Sequence, residues 1–343
     1  MVEATGIEIR NLYKIFGPNG AEMVEKVKAG MSKTELNDDY NHVLGLNDIN
    51  ISMPGGKIQV VMGLSGSGKS TLIRHINRLI DPTAGEVLYG DDDVCQMSIR
   101  QLRDFRRHKT AMVFQKFALL PHRTVMQNAV YGLEIQGVDQ KEAAERASRW
   151  IARVGLEGFE DNYPNQLSGG MQQRVGLARA LTNDADILLM DEAFSALDPL
   201  IRMDMQSVLL DLQEELHKTI VFITHDLDEA LRLGDRIAIL RDGAVVQQGT
   251  GQDIVLNPAD EYISSFVKEV NRSRVILVDT VMAAGQKLEG GLSIPKGVLL
   301  EEAAKRFADS GEGVANIVDA SGNPIGVLNV QDTMRAMVTP AEH

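Results

Sequence analysis

The sequence predicts an α/β fold built on a largely parallel sheet, with a helical block set into it and a smaller α+β tail. Three observations carry this expectation. Short apolar runs such as "KIQVVM", "ADILLM" and "KTIVFIT" alternate with amphipathic helical patterns. A glycine-rich turn, "GLSGSGKST" from Gly63 to Thr71, joins one of those strands to a helix. The pattern from Ser98 to about Asn183 is mostly helical, and the character of the chain changes again near Val270.

Taken in order, "GIEIRNLYKIF" places Ile7, Ile9 and Leu12 as a first strand. A polar stretch follows Gly17, in which Ser32 and Glu35 have the spacing of a helix capping box. "LGLNDINISM" reads as a strand running to the turn at Pro54, Gly55 and Gly56, and it feeds the strand before the glycine-rich turn. In the helical block, Ala143, Ala147, Trp150, Ile151 and Val154 fall on one face of "DQKEAAERASRWIARVGL". "IRMDMQSVLLDLQEEL" is a second amphipathic helix, and "RIAILRDG" and "AVVQQG" are two more strands. The tail reads as the helix "LLEEAAKRFADSG", a strand–turn–strand unit "VANIVDASGNPIGVLNV" and the helix "QDTMRAMV". At roughly 70 residues it is marginal for an independent core.

The 343 residues leave room for two domains, and 44% hydrophobic with 24% charged residues is an ordinary globular composition. No apolar run reaches the roughly 18 residues needed to cross a bilayer, and the N-terminus lacks a signal-peptide pattern, so a cytosolic setting is expected. Cys95 is the sole cysteine, which excludes an internal disulfide. A net charge of −13 argues against a nucleic-acid coat or a binder of anionic membranes. The basic cluster Arg100, Arg103, Arg106, Arg107 and Lys109 is expected to be a solvated helix face.

The turn at Gly63 has the make-up of a phosphate cradle. Gly63, Gly66 and Gly68 let the backbone turn several N–H groups toward one point, to which a helix N-terminus adds its dipole. Lys69 then reaches the β and γ phosphates, Ser70 holds Mg²⁺ through its hydroxyl, and Thr71 is a second hydroxyl opening the helix. Such a loop needs a carboxylate for the metal. Asp191, closing the apolar run "ILLMD", supplies one, and Glu192 beside it is placed to act as general base on water. "LSGGMQQ" at Leu167 to Gln173 is a second glycine turn opening a second helix, where Ser168, Gly169 and Gly170 suit phosphate as well. One nucleotide does not need two such helix ends from one chain. The economical reading is that each chain gives one to its own nucleotide and the other to its partner's.

The ordered set of phosphate loop, "FQKFALLPHRTVMQN", "LSGGMQQ", "ILLMDE", "SALD" and "ITHD" resembles the ATP-binding cassette (ABC) ATPases over most of Ile7 to Val270. The resemblance implies a nucleotide-binding domain at 1–270 with a RecA-like α/β core, an antiparallel β part and a helical subdomain at about 116–180. It implies a head-to-tail homodimer clamping two ATP molecules. On matching positions, Gly63, Ser65, Gly66, Ser67, Gly68, Lys69, Ser70 and Thr71 bind nucleotide, and Ser70, Gln115 and Asp191 serve Mg²⁺. Glu192 is then the base, His225 contacts the γ-phosphate, and Gln115 couples the site to a membrane subunit. Ser168, Gly169, Gly170 and Gln172 reach the partner's nucleotide, with Ser195 and Asp198 at the dimer seam. Phe16 matches the aromatic that stacks on adenine, with Tyr13 as a rival.

"GLSGSGKSTLIRHINRLIDPTAGEV", "MVFQKFALLPHRTVMQN" and "LSGGMQQRVGLARALTNDADILLMDEAFSALDPLIRMDMQ" closely resemble the ATPase subunits of glycine betaine, proline and choline importers. That branch implies a membrane permease, an external substrate-binding protein, and a peripheral position on the cytoplasmic face of the membrane. The tail, 271–343, looks like a single cystathionine β-synthase (CBS) module, either regulatory or a stabilising appendage. Three other functions are compatible with the motifs: a soluble cassette ATPase acting on ribosomes or DNA, an importer ATPase for another small solute, and a regulatory module in which ATP only sets the conformation of the tail.

Overall fold

The computed structural model describes residues 4–115, 117–195 and 197–338. Two compact units result, the first ending at Gln248 and the second beginning at Gly249. The strands of the first are β1 (Ile7–Phe16), β2 (Val43–Met53), β3 (Ile58–Met62), β4 (Ala84–Tyr89), β5 (Asp92–Asp93), β6 (Thr110–Val113), β7 (Ile187–Asp191), β8 (Thr219–Thr224), β9 (Arg236–Arg241) and β10 (Ala244–Gly249).

They form two sheets. An antiparallel sheet runs in the order β2-β1-β4-β5, with Ile7 of β1 opposite both Met53 and Tyr89. Alternation in β1 buries Ile7 and Ile9, and an irregularity of the pairing between Ile9 and Leu12 returns Leu12 to the buried side. β4 was not legible beforehand, because its residues are mostly half-buried and carry no clear alternation. The second sheet has the order β10-β9-β3-β8-β7-β6, and the pairs β9–β3, β3–β8, β8–β7 and β7–β6 are parallel. Every residue of β3, β7 and β8 is buried, as expected of parallel strands covered on both faces.

Register in this sheet positions the chemistry. Met62 lies opposite Thr224, and Asp191 opposite Ile223. The residues that follow the strands, Gly63, Glu192 and His225, therefore leave the sheet side by side at its carboxyl edge, where open parallel sheets bind ligands.

Between β6 and β7 the described chain is helical, with helices Val125–Ala129, Tyr131–Gln136, Gln140–Arg153 and Gly169–Thr182. Ala143, Ala147, Trp150, Ile151 and Val154 are buried, as the helical spacing required. The polar stretch after Gly17 folds as helices Gly20–Lys28 and Lys33–Tyr40. The second starts with the expected box: Glu35 N–H donates to Ser32 Oγ at 3.2 Å and Ser32 N–H to a Glu35 carboxylate oxygen at 2.8 Å. Met23, Val24, Val27 and Leu36 pack on Tyr13, Ile15 and Leu44.

The basic cluster is only partly a solvated face. Arg103 and Arg107 are exposed, but the Arg106 guanidinium turns inward and donates to the carbonyls of Asn77 and Arg78. Burial pulls its pKa below the usual arginine value.

The second unit opens with helices Gly251–Leu256 and Glu261–Val267. Strands β11 (Ala283–Ala284), β12 (Leu292–Pro295), β13 (Val314–Val318) and β14 (Pro324–Asn329) form a sheet in the order β11-β14-β13-β12. Helices Leu300–Ser310 and Val330–Val338 accompany it, and Ile276, Ile294, Leu300, Phe307, Ile317 and Leu328 lie in its core. The division at Gly249 falls earlier than the expected boundary at 270/271. The reason is local bonding: Gln252 Oε1 accepts from Leu277 N–H and Thr280 Oγ1, and Arg272 donates to the carbonyls of Val255 and Ala336. Leu256 packs on the tail core.

Candidate active site

The glycine-rich turn is built as its composition demands. Gly63 and Gly68 have φ of +154° and +103°, and a Cβ would lie 2.3 Å from the Leu240 carbonyl at the first and 2.8 Å from the Gly45 carbonyl at the second. Gly66, at φ +79°, has open space around it, so conformation alone requires glycine there. Ser65 and Gly66 are exposed at the tip, whereas Ser67 is buried beneath Gly63. Gly68 caps the helix Lys69–Ile76, whose first turn carries Ser70 and Thr71.

Lys69 Nζ donates to the carbonyls of Gly63 at 2.8 Å and Leu64 at 3.0 Å, and lies 3.8 Å from Glu192 Oε1. Its side chain is only 4% exposed. Burial lowers its pKa, and the charges of Glu192 and Asp191 oppose that shift. A lysine folded onto the loop's own carbonyls holds its charge where phosphate oxygens would compete for it.

Ser70 Oγ donates to Asp191 Oδ1 at 2.8 Å, joining two residues 121 apart in the chain. Asp191 is buried, and Arg74 approaches its other oxygen at 3.4 Å. Arg74 was missed in the sequence, although its place one helical turn after Ser70 puts both on one face. Glu192 sits next, with its backbone in the left-handed region at φ +46°. A non-glycine residue held there is strained, and such strain concentrates at functional sites. Its carboxylate accepts from Gln115 Nε2 at 2.8 Å and lies 3.8 Å from His225 Nδ1. The His225 side chain is 58% exposed, so it is free to meet a ligand from solvent.

The structure thus brings the glycine-rich loop, Gln115, Asp191, Glu192 and His225 together. It does not bond the second glycine turn to them. Ser168 caps the helix Gly169–Thr182 by accepting from Met171 N–H, and Gln172 donates to the Leu167 carbonyl. Ser168 and Gly169 are exposed. Asp198 is exposed too and caps the helix Pro199–Leu216, while Ser195 Oγ donates to the Glu192 carbonyl at 2.9 Å. Phe16 and Tyr13 separate clearly: Phe16 is 40% exposed beside Gly45, whereas Tyr13 is 6% exposed within a hydrophobic cluster.

For a metal, the protein offers the Ser70 hydroxyl and the Asp191 carboxylate, with Gln115 close by through Glu192. Among the described residues no group of three or more acidic, histidine or cysteine side chains could cage an ion. This donor set fits Mg²⁺, a hard cation that takes one or two protein oxygens and completes its shell with phosphate and water.

Comparison with known proteins bears on this arrangement. The family profile described as "ABC transporter" matches residues 46–195. The glycine betaine transport ATP-binding protein OpuAA of Bacillus subtilis (strain 168) is 50% identical over 330 residues, 96% of this chain and 78% of that one. The chain belongs to the ABC transporter ATP-binding proteins. As such, this ABC subunit is an ATPase of a transport system. The glycine betaine/proline betaine transport system ATP-binding protein ProV of Escherichia coli (strain K12) is 44% identical to the subunit over 98% of this chain and 83% of its own length. The trimethylamine N-oxide transport system ATP-binding protein TmoW of Pelagibacter ubique (strain HTCC1062) is 42% identical, with 94% of both chains covered. Among solved structures, a dimeric post-hydrolysis state of the ATP-binding cassette MJ0796 bound to ADP and Pi aligns with a TM-score of 0.62 and 32% identity, covering 71% of this chain and 98% of that one. The fold of the subunit is therefore that of an ABC cassette. Among its described residues no helix is long and apolar enough to cross a membrane.

Proposed function

We propose that this subunit hydrolyses ATP to drive uptake of a small methylated-amine osmolyte, with glycine betaine the leading substrate, through a membrane permease. The observation that carries the reading is the 50% identity to a glycine betaine transport subunit over 96% of the chain, tail included. Trimethylamine N-oxide is the second reading, supported by equal coverage of both chains in that comparison. A permease partner, an external substrate-binding protein and a place on the cytoplasmic face of the membrane follow from the same reading.

In the proposed mechanism, two subunits associate head to tail. The backbone N–H groups of the loop from Gly63 to Thr71 and the Lys69 ammonium hold the phosphates, and Phe16 stacks on adenine. Ser168, Gly169, Gly170 and Gln172 of one subunit complete the site of the other, with Ser195 and Asp198 at the seam. Ser70, Asp191 and Gln115 would hold Mg²⁺, which when bound neutralises charge developing on the phosphates. Glu192 takes the proton of the attacking water, and His225 contacts the γ-phosphate. Gln115 links the occupancy of the site to the permease. The tail acts as a single CBS-like module.

Uptake of labelled glycine betaine, choline and trimethylamine N-oxide by cells lacking the subunit, complemented with wild type or Glu192→Gln, tests this. Restoration by wild type alone is expected, with the preferred label naming the substrate. If no label accumulates while the purified protein still hydrolyses ATP, the substrate class is wrong.

A further inference from the structure

His225 stands between two anchored residues. Thr224, which closes β8, and Asp226, which caps the helix Leu227–Leu233, are tied to each other, since Asp226 N–H donates to Thr224 Oγ1 at 3.0 Å. Behind them Glu229 is 7% exposed, Gln206 5% and Thr224 2%. Thr224 Oγ1 donates to Glu229 Oε2, Gln206 Nε2 donates to Glu229 Oε1 at 3.0 Å, and Arg232 Nη1 donates to Gln206 Oε1 at 2.8 Å.

The polarity of this chain of bonds is set at the Arg232 end. A guanidinium can only donate, so Gln206 Oε1 must accept and its amide must donate onward. At the other end Thr224 Oγ1 accepts from the Asp226 backbone N–H and directs its hydroxyl proton to Glu229 Oε2. Both Glu229 oxygens must then accept. An ionised carboxylate does this, and an amide of the same shape cannot. Burial raises the Glu229 pKa, and the donors Thr224 and Gln206 oppose that shift by favouring the ion. The network also reaches the segment before Asp198, because Arg202 donates to Asp226 Oδ2 at 3.4 Å and to the Leu197 carbonyl at 3.3 Å.

From this geometry we infer that Glu229 is a positioning residue for hydrolysis: through Thr224 and Gln206 it locks the backbone on which His225 stands and ties it to the helix that begins after Asp198. The inference rests on the proposed contact of His225 with the γ-phosphate. The Glu229 side chain is buried and bonded to Thr224 and Gln206. It acts by keeping a solvent-facing histidine on a fixed base, and small misplacements of such groups are costly in rate.

The test is steady-state ATP hydrolysis by the purified full chain, read as kcat and KM separately, with thermal melting as a folding check. Glu229→Gln and Thr224→Val are each expected to lower kcat at least roughly tenfold while KM for ATP stays within about twofold. Thr224→Ser, which keeps the hydroxyl, is expected to restore kcat to near the wild-type value. Should Glu229→Gln fail to fold, the Thr224 pair decides. Wild-type kcat in Glu229→Gln or Thr224→Val overturns the inference. So does parallel loss of kcat, ATP affinity and melting temperature in Glu229→Gln, Thr224→Val and Thr224→Ser, which marks a merely structural brace. His225→Ala is measured alongside: wild-type turnover in that variant removes the role proposed for His225 itself, a distinct failure.

Discussion

Gln115 donates its amide to the Glu192 carboxylate at 2.8 Å across 77 residues of chain. The glutamine proposed to report on the nucleotide thus holds the group proposed as base, which also faces Lys69 and His225 at 3.8 Å each. Glu192→Gln keeps the shape of this cluster and removes the proton acceptor together with the negative charge beside Lys69. Steady-state phosphate release is expected to fall at least about 100-fold, the usual scale of a lost general base, with ATP binding retained. Near-normal turnover would remove Glu192 from that role.

The three loop glycines should not be equally sensitive. At Gly66 an added Cβ meets nothing, so Gly66→Ala costs only the left-handed backbone, about 1–2 kcal/mol. At Gly63 the same penalty is joined by a clash with the Leu240 carbonyl, and the cost of Gly63→Ala should reach about 3 kcal/mol or more. Denaturant unfolding of the two variants checks the order; equal midpoints would contradict it.

Phe16 and Tyr13 offer a paired experiment. Phe16→Ala removes an exposed ring, so the fold should hold while ATP affinity drops roughly tenfold, stacking of a base on an aromatic being worth about 1–3 kcal/mol. Tyr13→Ala empties a packed cluster and should instead lower stability by about 3 kcal/mol. Calorimetric titration with ATP and a thermal melt on each variant separate the two; reversed outcomes would make Tyr13 the adenine residue.

Cys95 should be a poor nucleophile. Burial, with Asp93 adding to it, pushes its thiol up to about 12, so at pH 8 it remains protonated. A disulfide reagent is expected to label the native protein at least about 100-fold more slowly than a free thiol, since the thiolate is the reacting form. The rate should rise steeply toward higher pH, and unfolding the protein should abolish the protection. Rapid labelling at pH 8 would contradict this environment.

The local features were legible in the chain, because each is a matter of residue type and short spacing. The glycine-rich turn into the helix Lys69–Ile76, the buried strands β3, β7 and β8, the amphipathic face of Gln140–Arg153 and the cap at Ser32 all follow from that information. β4 gave a weaker signal, since its partner β1 is distant in the chain, and the two helices after Gly17 are buried by strand residues on either side of them, Tyr13, Ile15 and Leu44. Only the tertiary structure decided what meets what. It exposes Phe16, buries Tyr13 and turns Arg106 inward. It also placed the unit boundary at Gly249 by bonding Gln252 and Arg272 to the tail. The parallel register that sets Met62 against Thr224 and Asp191 against Ile223 gathers the site, and packing brings Thr224 and Gln206 onto the buried Glu229. Residue type fixes what a group can donate, accept or bury. Which partner it finds is set by long-range packing, which short spacings do not encode.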